Sequence, residues 1–183
     1  MLGSRGRRRT LAVVVAVGAG FVAAATAAVA SRDHPARHLA ALLQGGRLVE
    51  AHAGVSQVRA NDCGPAALAH CLRRMGREVP YPDPRSSVRL RPRGCGFDEL
   101  VRESRRLGVP ARHRRIPTRD LNGIGVPAVL YLTYGHFVAL EEAGASGRVV
   151  VHDPALGRVE FSPGAVRRLW SGDVLEFMEE GEP

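Results

Sequence analysis

Residues 57–76, QVRANDCGPAALAHCLRRMG, set a cysteine directly behind an Asn-Asp pair and at the head of a helix-forming run. Asn61 or Asp62 can cap a helix whose first turn holds Gly64 and Pro65, and Gly76 stops it. Leu68, Cys71, Leu72 and Met75 recur at helical spacing and mark the buried face, so Cys71 reads as core. Cys63 is different. The first N–H groups of a helix are unpaired and carry partial positive charge, which favours thiolate over thiol there.

A nucleophilic thiolate needs a proton carrier, and the chain offers seven histidines. His70 lies on the same helix, ~10 Å of axial rise away, too far for a hydrogen bond. His34, His38 and His52 fall in the polar segment 31–55, and His113 falls in the arginine run ARHRRIPTR. His136 follows the turn-like TYG and opens a strand. With the next hairpin turning at 143–147, antiparallel counting sets residue 136 opposite 154, which leaves Asp153 one residue away. His152 is adjacent, but consecutive strand residues face opposite sides, so only one of the two can address His136. Asp153 is the residue expected to orient the imidazole.

The remaining punctuation gives an α+β domain. A second helix is predicted over Phe97–Leu107, and a short one begins at Ser162 with Pro163 in its first turn. Between them VPAVLYL, HFVAL, RVVVHD and RVEF, and after them VLEF, read as short antiparallel strands. Residues 79–94 carry four prolines and read as loop. Residues 56–178 form the predicted domain, 31–55 a stalk or linker, and 179–183 an acidic tail.

The N-terminus reads as a membrane address. After the basic RGRRR, residues 11–30 are uncharged and long enough to cross a ~30 Å hydrocarbon core, and they end in an A-x-A-like pattern. Residues 1–30 are therefore expected to be a signal peptide or an anchor, with the domain extracytoplasmic, in the periplasm or at the cell surface. The formal charge is +8, four units of which precede residue 10, and the rest is spread without interleaved aromatics, which argues against nucleic acid as a partner. Three cysteines make an odd count; if Cys63 stays free, Cys71 and Cys95 are the natural disulfide pair. Cys63, His70, Cys71 and Cys95 match no zinc-ligand spacing, so no metal is expected.

Taken together, QVRANDCGPAALAH, GHFVAL and VHDPALG resemble, in order and spacing, the motifs of the C39 cysteine peptidases, papain-like domains that process double-glycine leader peptides of bacteriocins and similar secreted peptides. The resemblance implies a papain-like fold in which the helix carrying Cys63 packs on an antiparallel sheet carrying His136 and Asp153. It implies Cys63 as nucleophile, His136 as general base and then acid, and Asp153 as its orienting group. Gln57 would supply a side-chain amide that joins the Cys63 backbone N–H in an oxyanion hole. It further implies no cofactor, a peptide or protein substrate with a double-glycine leader, and a secretion ABC transporter as partner, although the chain carries no G-x-x-x-x-G-K-S/T loop of its own. Two other readings stay open at this point: a non-catalytic peptide-docking module, and another papain-like acyl-transfer enzyme such as a cell-wall amide hydrolase. Gly45-Gly46, preceded by leucines, reads first as a helix stop, but also resembles the family's cleavage signal. Val58, Tyr134 and Leu156 are candidates to line the substrate cleft.

Overall fold

Strand-forming runs in the C-terminal half assemble into a seven-stranded antiparallel sheet. The computed structural model describes residues 42–43, 45–144 and 147–178. The strands are β1 (Gly46–Ala51), β2 (Ala111–Arg115), β3 (Ala128–Leu132), β4 (His136–Ala143), β5 (Val149–Asp153), β6 (Gly157–Phe161) and β7 (Trp170–Phe177), in the order β1-β6-β5-β4-β3-β7-β2. Helix α1 (Cys63–Arg74), α2 (Phe97–Arg106) and α3 (Pro163–Leu169) accompany it, with a 3₁₀ segment at Thr118–Gly123.

The central strands are buried on both faces, and each face supports its own core. On one side Ala66, Ala67, Leu68 and Leu72 of α1 pack with Val129, Phe137, Ala139 and Leu175. The small side chains of Ala66 and Ala67, both fully buried, let the helix backbone approach β4 closely. On the other side Leu130, Val138, Leu140 and Val151 meet Leu121, Val166, Leu169 and Trp170. Fully burying an aliphatic side chain of this size is worth roughly 1.5–3 kcal/mol, so α1 is held chiefly by its apolar stripe. The cap of α3 forms as its sequence predicts: Ser162 Oγ accepts the Ala165 N–H at 3.2 Å.

Several expectations are corrected. The sheet extends into the segment read as linker, because β1 pairs antiparallel with β6 from Gly46 opposite Phe161 to Ala51 opposite Gly157. Its residues are mostly exposed, so no alternating pattern betrays it; the partner strand makes it a strand. The bond after Gly46 thus lies within a hydrogen-bonded ladder, whereas residues 41 and 44 lie outside the described set. The arginine run forms β2, paired with β7, and its charges face acids: Arg114 meets Glu176 at 3.0 Å and His113 meets Asp173 at 3.1 Å. Asp62 occupies the N-cap of α1 but makes no side-chain capping bond.

Nor is there a Cys71–Cys95 disulfide: all three thiols are free. Cys71 is buried against the sheet, with its sulfur 3.5 Å from the Ala128 carbonyl, whereas Cys95 lies beside Gly64, about two helical turns away. The expected extracytoplasmic placement by a hydrophobic N-terminal segment is also withdrawn. Among the described residues no helix is long and apolar enough to cross a membrane, and residues 1–30 lie outside them.

Candidate active site

Cys63 is the first residue of α1, and His136 is the first residue of β4. By strand alternation His136 shares the face of Val138 and Leu140, opposite the face that α1 covers, so the two side chains meet at the end of the sheet. Asp153 is the last residue of β5. The β4–β5 hairpin pairs Ala143 with Val149, passes a bulge between Leu140 and Glu142, and then pairs Ala139 with His152. The strands start two positions out of the register that simple counting gives, and the bulge takes back one of the two, which leaves Asp153 diagonal to His136 and within reach of an imidazole.

His136 Nε2 and Asp153 Oδ1 are 2.9 Å apart, and their side chains are only 2% and 4% exposed. The same Oδ1 accepts the Ala155 N–H at 2.9 Å, while the Leu156 N–H donates to the Asp153 carbonyl at 3.1 Å. Asp-Pro-Ala is therefore a turn whose first side chain is clamped by its own backbone, with Pro154 presetting the bend. Because Nε2 is spent on Asp153, Nδ1 is the nitrogen left for the sulfur.

The electrostatics match that assignment. Burial pushes the Cys63 thiol up, but the hydrogen bond and charge of His136, aided by the Phe137 backbone N–H, outweigh it and hold the thiol below its ordinary value. Burial alone would lower His136; the Asp153 charge and hydrogen bond, with a smaller contribution from Cys63, raise it above the usual imidazole range. Such opposed shifts favour a thiolate–imidazolium pair near neutral pH. Cys71 shows the contrast, since burial drives its thiol upward and no imidazole answers it.

Gln57 sits on the same rim. Its backbone N–H donates to the Pro154 carbonyl at 2.8 Å, which ties the segment before α1 to the Asp153 turn. Its side-chain Nε2 donates to the Arg59 carbonyl at 2.6 Å, so in this conformation one amide hydrogen is directed at the protein's own loop. The Asp62 carboxylate accepts the Arg59 and Val58 N–H groups at 3.0 and 3.3 Å. Sequence reasoning cast Asp62 as a helix cap; in fact it turns back and shapes the loop that carries Gln57. An Asp three and four residues after those amides was the available signal, and the cap preference of Asp obscured it.

His70 stands apart from this chemistry. It bonds Glu141 at 2.9 Å and stacks on His152 at 3.8 Å between ring centroids, while His152 Nε2 meets the Val55 carbonyl. His152 thus faces α1, and Asp153 faces His136, as strand alternation requires. A cleft of about 450 Å³ opens onto Cys63, lined by Asn61, Arg93, Tyr131, Tyr134 and Gly135 among others. Tyr134 lines it and also packs against the core, Val58 lines a different groove, and Leu156 packs against the core. Among the described residues no three His, Cys, Asp or Glu side chains gather so as to hold a metal ion.

The model of the peptidase C39 family matches residues 52–182. The chain belongs to that family. It is 27% identical over 122 residues to the colicin V secretion/processing ATP-binding protein of Escherichia coli, covering 67% of this chain and 17% of that protein. It is also 27% identical over 133 residues to a probable functional amyloid protease of Pseudomonas aeruginosa, covering 65% of this chain and 57% of that protein. The chain therefore spans only a minor part of the transporter it matches. A solved double-glycine motif protease from an AMS/PCAT transporter, in complex with its leader peptide, superposes with a TM-score of 0.63 at 25% identity, covering 70% of this chain and 91% of that one. The peptidase domain of Streptococcus ComA, 18% identical with a TM-score of 0.58, shares the fold. The papain-like arrangement of a cysteine-bearing helix on an antiparallel sheet, expected above, is that of these domains.

Proposed function

We propose that this C39 domain is an active cysteine peptidase that hydrolyses a peptide bond following a Gly-Gly pair, with Cys63 as nucleophile. The observation that carries the reading is the alignment of Cys63, His136 and Asp153 from three separate elements, with shifts that favour an ion pair. The Cys63 thiolate attacks the scissile carbonyl, and the imidazolium of His136 delivers its proton to the departing amine. The amine fragment leaves first; His136, now neutral, then takes a proton from water, which attacks the thioester, releases the carboxyl-bearing fragment and returns Cys63 to the thiolate. Asp153 holds the ring so that Nδ1 faces the sulfur throughout and stabilises its charged form. The Cys63 N–H, left without an intrahelical acceptor at the helix start, and the Gln57 amide are the donors for the oxyanion. Gln57 would exchange its bond to the Arg59 carbonyl for that role.

Glycine selectivity follows from access, since a residue without a side chain lets the peptide backbone approach a cysteine that is only 6% exposed. A second groove of about 460 Å³, lined by Val58, Pro65, Leu68, Val79, Tyr81 and Leu90, offers apolar surface for side chains upstream of the cut. By analogy with the relatives, a secretion transporter is the partner that would present or carry the peptide. Incubation with a panel of double-glycine leader peptides tests the reading: cleavage after Gly-Gly is expected from the wild type and none from Cys63→Ala. Equal cleavage by both, or by neither while Cys63 still alkylates rapidly, would overturn it.

A further inference from the structure

Cys95 is not used by the mechanism above, yet it lies against the turn that carries the nucleophile. A β-carbon at Gly64 would stand 2.7 Å from the Cys95 sulfur, so this glycine is what makes room for the second thiol. With adjacent Cα atoms ~3.8 Å apart, the Cys95 sulfur is within roughly 8 Å of the Cys63 Cα. The turn just before Cys95 is closed by paired Arg91–Gly94 backbone bonds of 2.9 Å each and is tied to the start of α1 by Asn61, whose Nδ2 donates to the Arg91 carbonyl at 2.8 Å. Glycines flank Cys95 on both sides, and Gly94 has φ +95°, so the backbone there has the freedom to bring the sulfur inward. The cleft over Cys63 is also lined by Pro92 and Arg93, which puts the same turn beside the route by which a small oxidant would enter.

We propose that Cys95 is a resolving thiol, and that Cys63 and Cys95 form a reversible disulfide when a hydroperoxide reaches the cleft. The Cys63 thiolate attacks the peroxide oxygen, the O–O bond breaks, and the alkoxide or hydroxide leaves and takes up a proton. Cys63 is now a sulfenic acid. The Cys95 sulfur then attacks the Cys63 sulfur; the S–S bond forms, the S–O bond breaks, and oxygen departs as water with the Cys95 proton. Two thiols have lost two electrons, and the peroxide has gained them. A dithiol reductant reverses the step by exchange.

The two thiols are graded for these roles. Burial pushes Cys95 up to about 12, reinforced by the negative charge of Cys63 and then Glu99, so it stays protonated while Cys63 is ionised. Conversion of Cys63 to an uncharged sulfenic acid removes that repulsion when Cys95 must attack. The disulfide would silence the peptidase while protecting its nucleophile from irreversible sulfinic and sulfonic oxidation. Cys71 is excluded by its place beneath the sheet-facing side of α1.

The inference rests on Cys63 being the ionised thiol of the reading above, but its test reads mass and thiol labelling, not cleavage. The full chain is treated with hydrogen peroxide, then mapped by mass spectrometry before and after dithiothreitol. The wild type is expected to lose two hydrogens, to yield a peptide crosslinked between Cys63 and Cys95, and to regain iodoacetamide labelling of Cys63 on reduction. Cys95→Ser should gain oxygens on Cys63 instead, with recovery of labelling at least ~10-fold lower. Cys71→Ser should behave as wild type. Absence of the crosslink with equal over-oxidation in wild type and Cys95→Ser, or a crosslink to Cys71, overturns the proposal. If the crosslink forms but no leader peptide is cut under reducing conditions, the substrate reading fails and the thiol pair stands.

Discussion

Substituting Asp153→Asn isolates charge from geometry. Asp153 Oδ1 accepts two N–H bonds, from His136 Nε2 and Ala155, each 2.9 Å long. An asparagine oxygen can accept both, so the turn and the ring orientation survive while the carboxylate charge is lost. That charge is the largest of the influences that raise His136 against burial, and the pair is almost wholly shielded from water. Removing an opposite charge at such range lowers an imidazole by ~1–3 pH units. The thiolate–imidazolium pair exists between the titration of Cys63 and that of His136, so its alkaline limit should fall by this amount. The acid limit should move slightly down as well, because Asp153 raises Cys63. Titration of the His136 ring by NMR, alongside the pH profile of kcat/KM on a cleaved peptide, measures both limits. Asp153→Ala should do more, stripping both bonds and leaving a buried imidazole unanswered at a cost of ~3–5 kcal/mol. An Asn variant whose His136 titration and alkaline limb coincide with wild type would refute the reasoning.

Three further outcomes are expected. Gln57→Ala should lower kcat ~100- to 1,000-fold with little change in KM, as loss of one oxyanion donor does; a kcat within twofold of wild type in peptide hydrolysis would remove Gln57 from the site. Gly157 has φ +108°, and a β-carbon there would meet the Glu50 carbonyl oxygen at 2.3 Å and the His52 nitrogen at 2.5 Å, so Gly157→Ala should cost ~1–3 kcal/mol in denaturant unfolding, while Gly123→Ala, with nothing nearby, should cost far less. Glu141 is held down to about 2 first by its bond to His70, with burial opposing and Arg158 assisting. A depressed folded value means stability that is present above the unfolded carboxylate's ~4.3 and lost as pH falls toward 2. Unfolding curves at pH 7, 4 and 3 should thus converge for wild type and Glu141→Gln at the acid end; a constant gap at every pH would contradict this.

Much of the site was legible because it rests on local rules. A cysteine after Asn-Asp and before an apolar-periodic run marks a helix N-terminus, and His136 and Asp153 sit where strand runs begin and end. Antiparallel counting brought those two together although its register is one residue off beyond the bulge at Leu140, since one residue of slip still leaves them diagonal neighbours. The two edge strands escaped for the opposite reason. GRLVEA is nearly all exposed, and ARHRR carries four cationic or titratable side chains in five, so neither shows a buried alternation; each becomes a strand through its partner, β6 or β7. The Cys71–Cys95 pairing failed because elimination among three cysteines says nothing about which side of a helix each faces.

By itself, then, the sequence determined the chemistry available and the elements that carry it: a thiol at a helix start, an imidazole and a carboxylate on neighbouring strands, and the α+β class. These depend on periodicity, capping and turn preference, which act over a few residues. Tertiary structure decided which atoms meet: Nε2 on Asp153 with Nδ1 left for sulfur, the Gln57 backbone N–H on the Pro154 carbonyl, and Cys95 lodged in the space that Gly64 leaves open. Those contacts join residues from 17 to 97 positions apart, where chain direction and packing at the end of the sheet set the geometry and no local pattern records it.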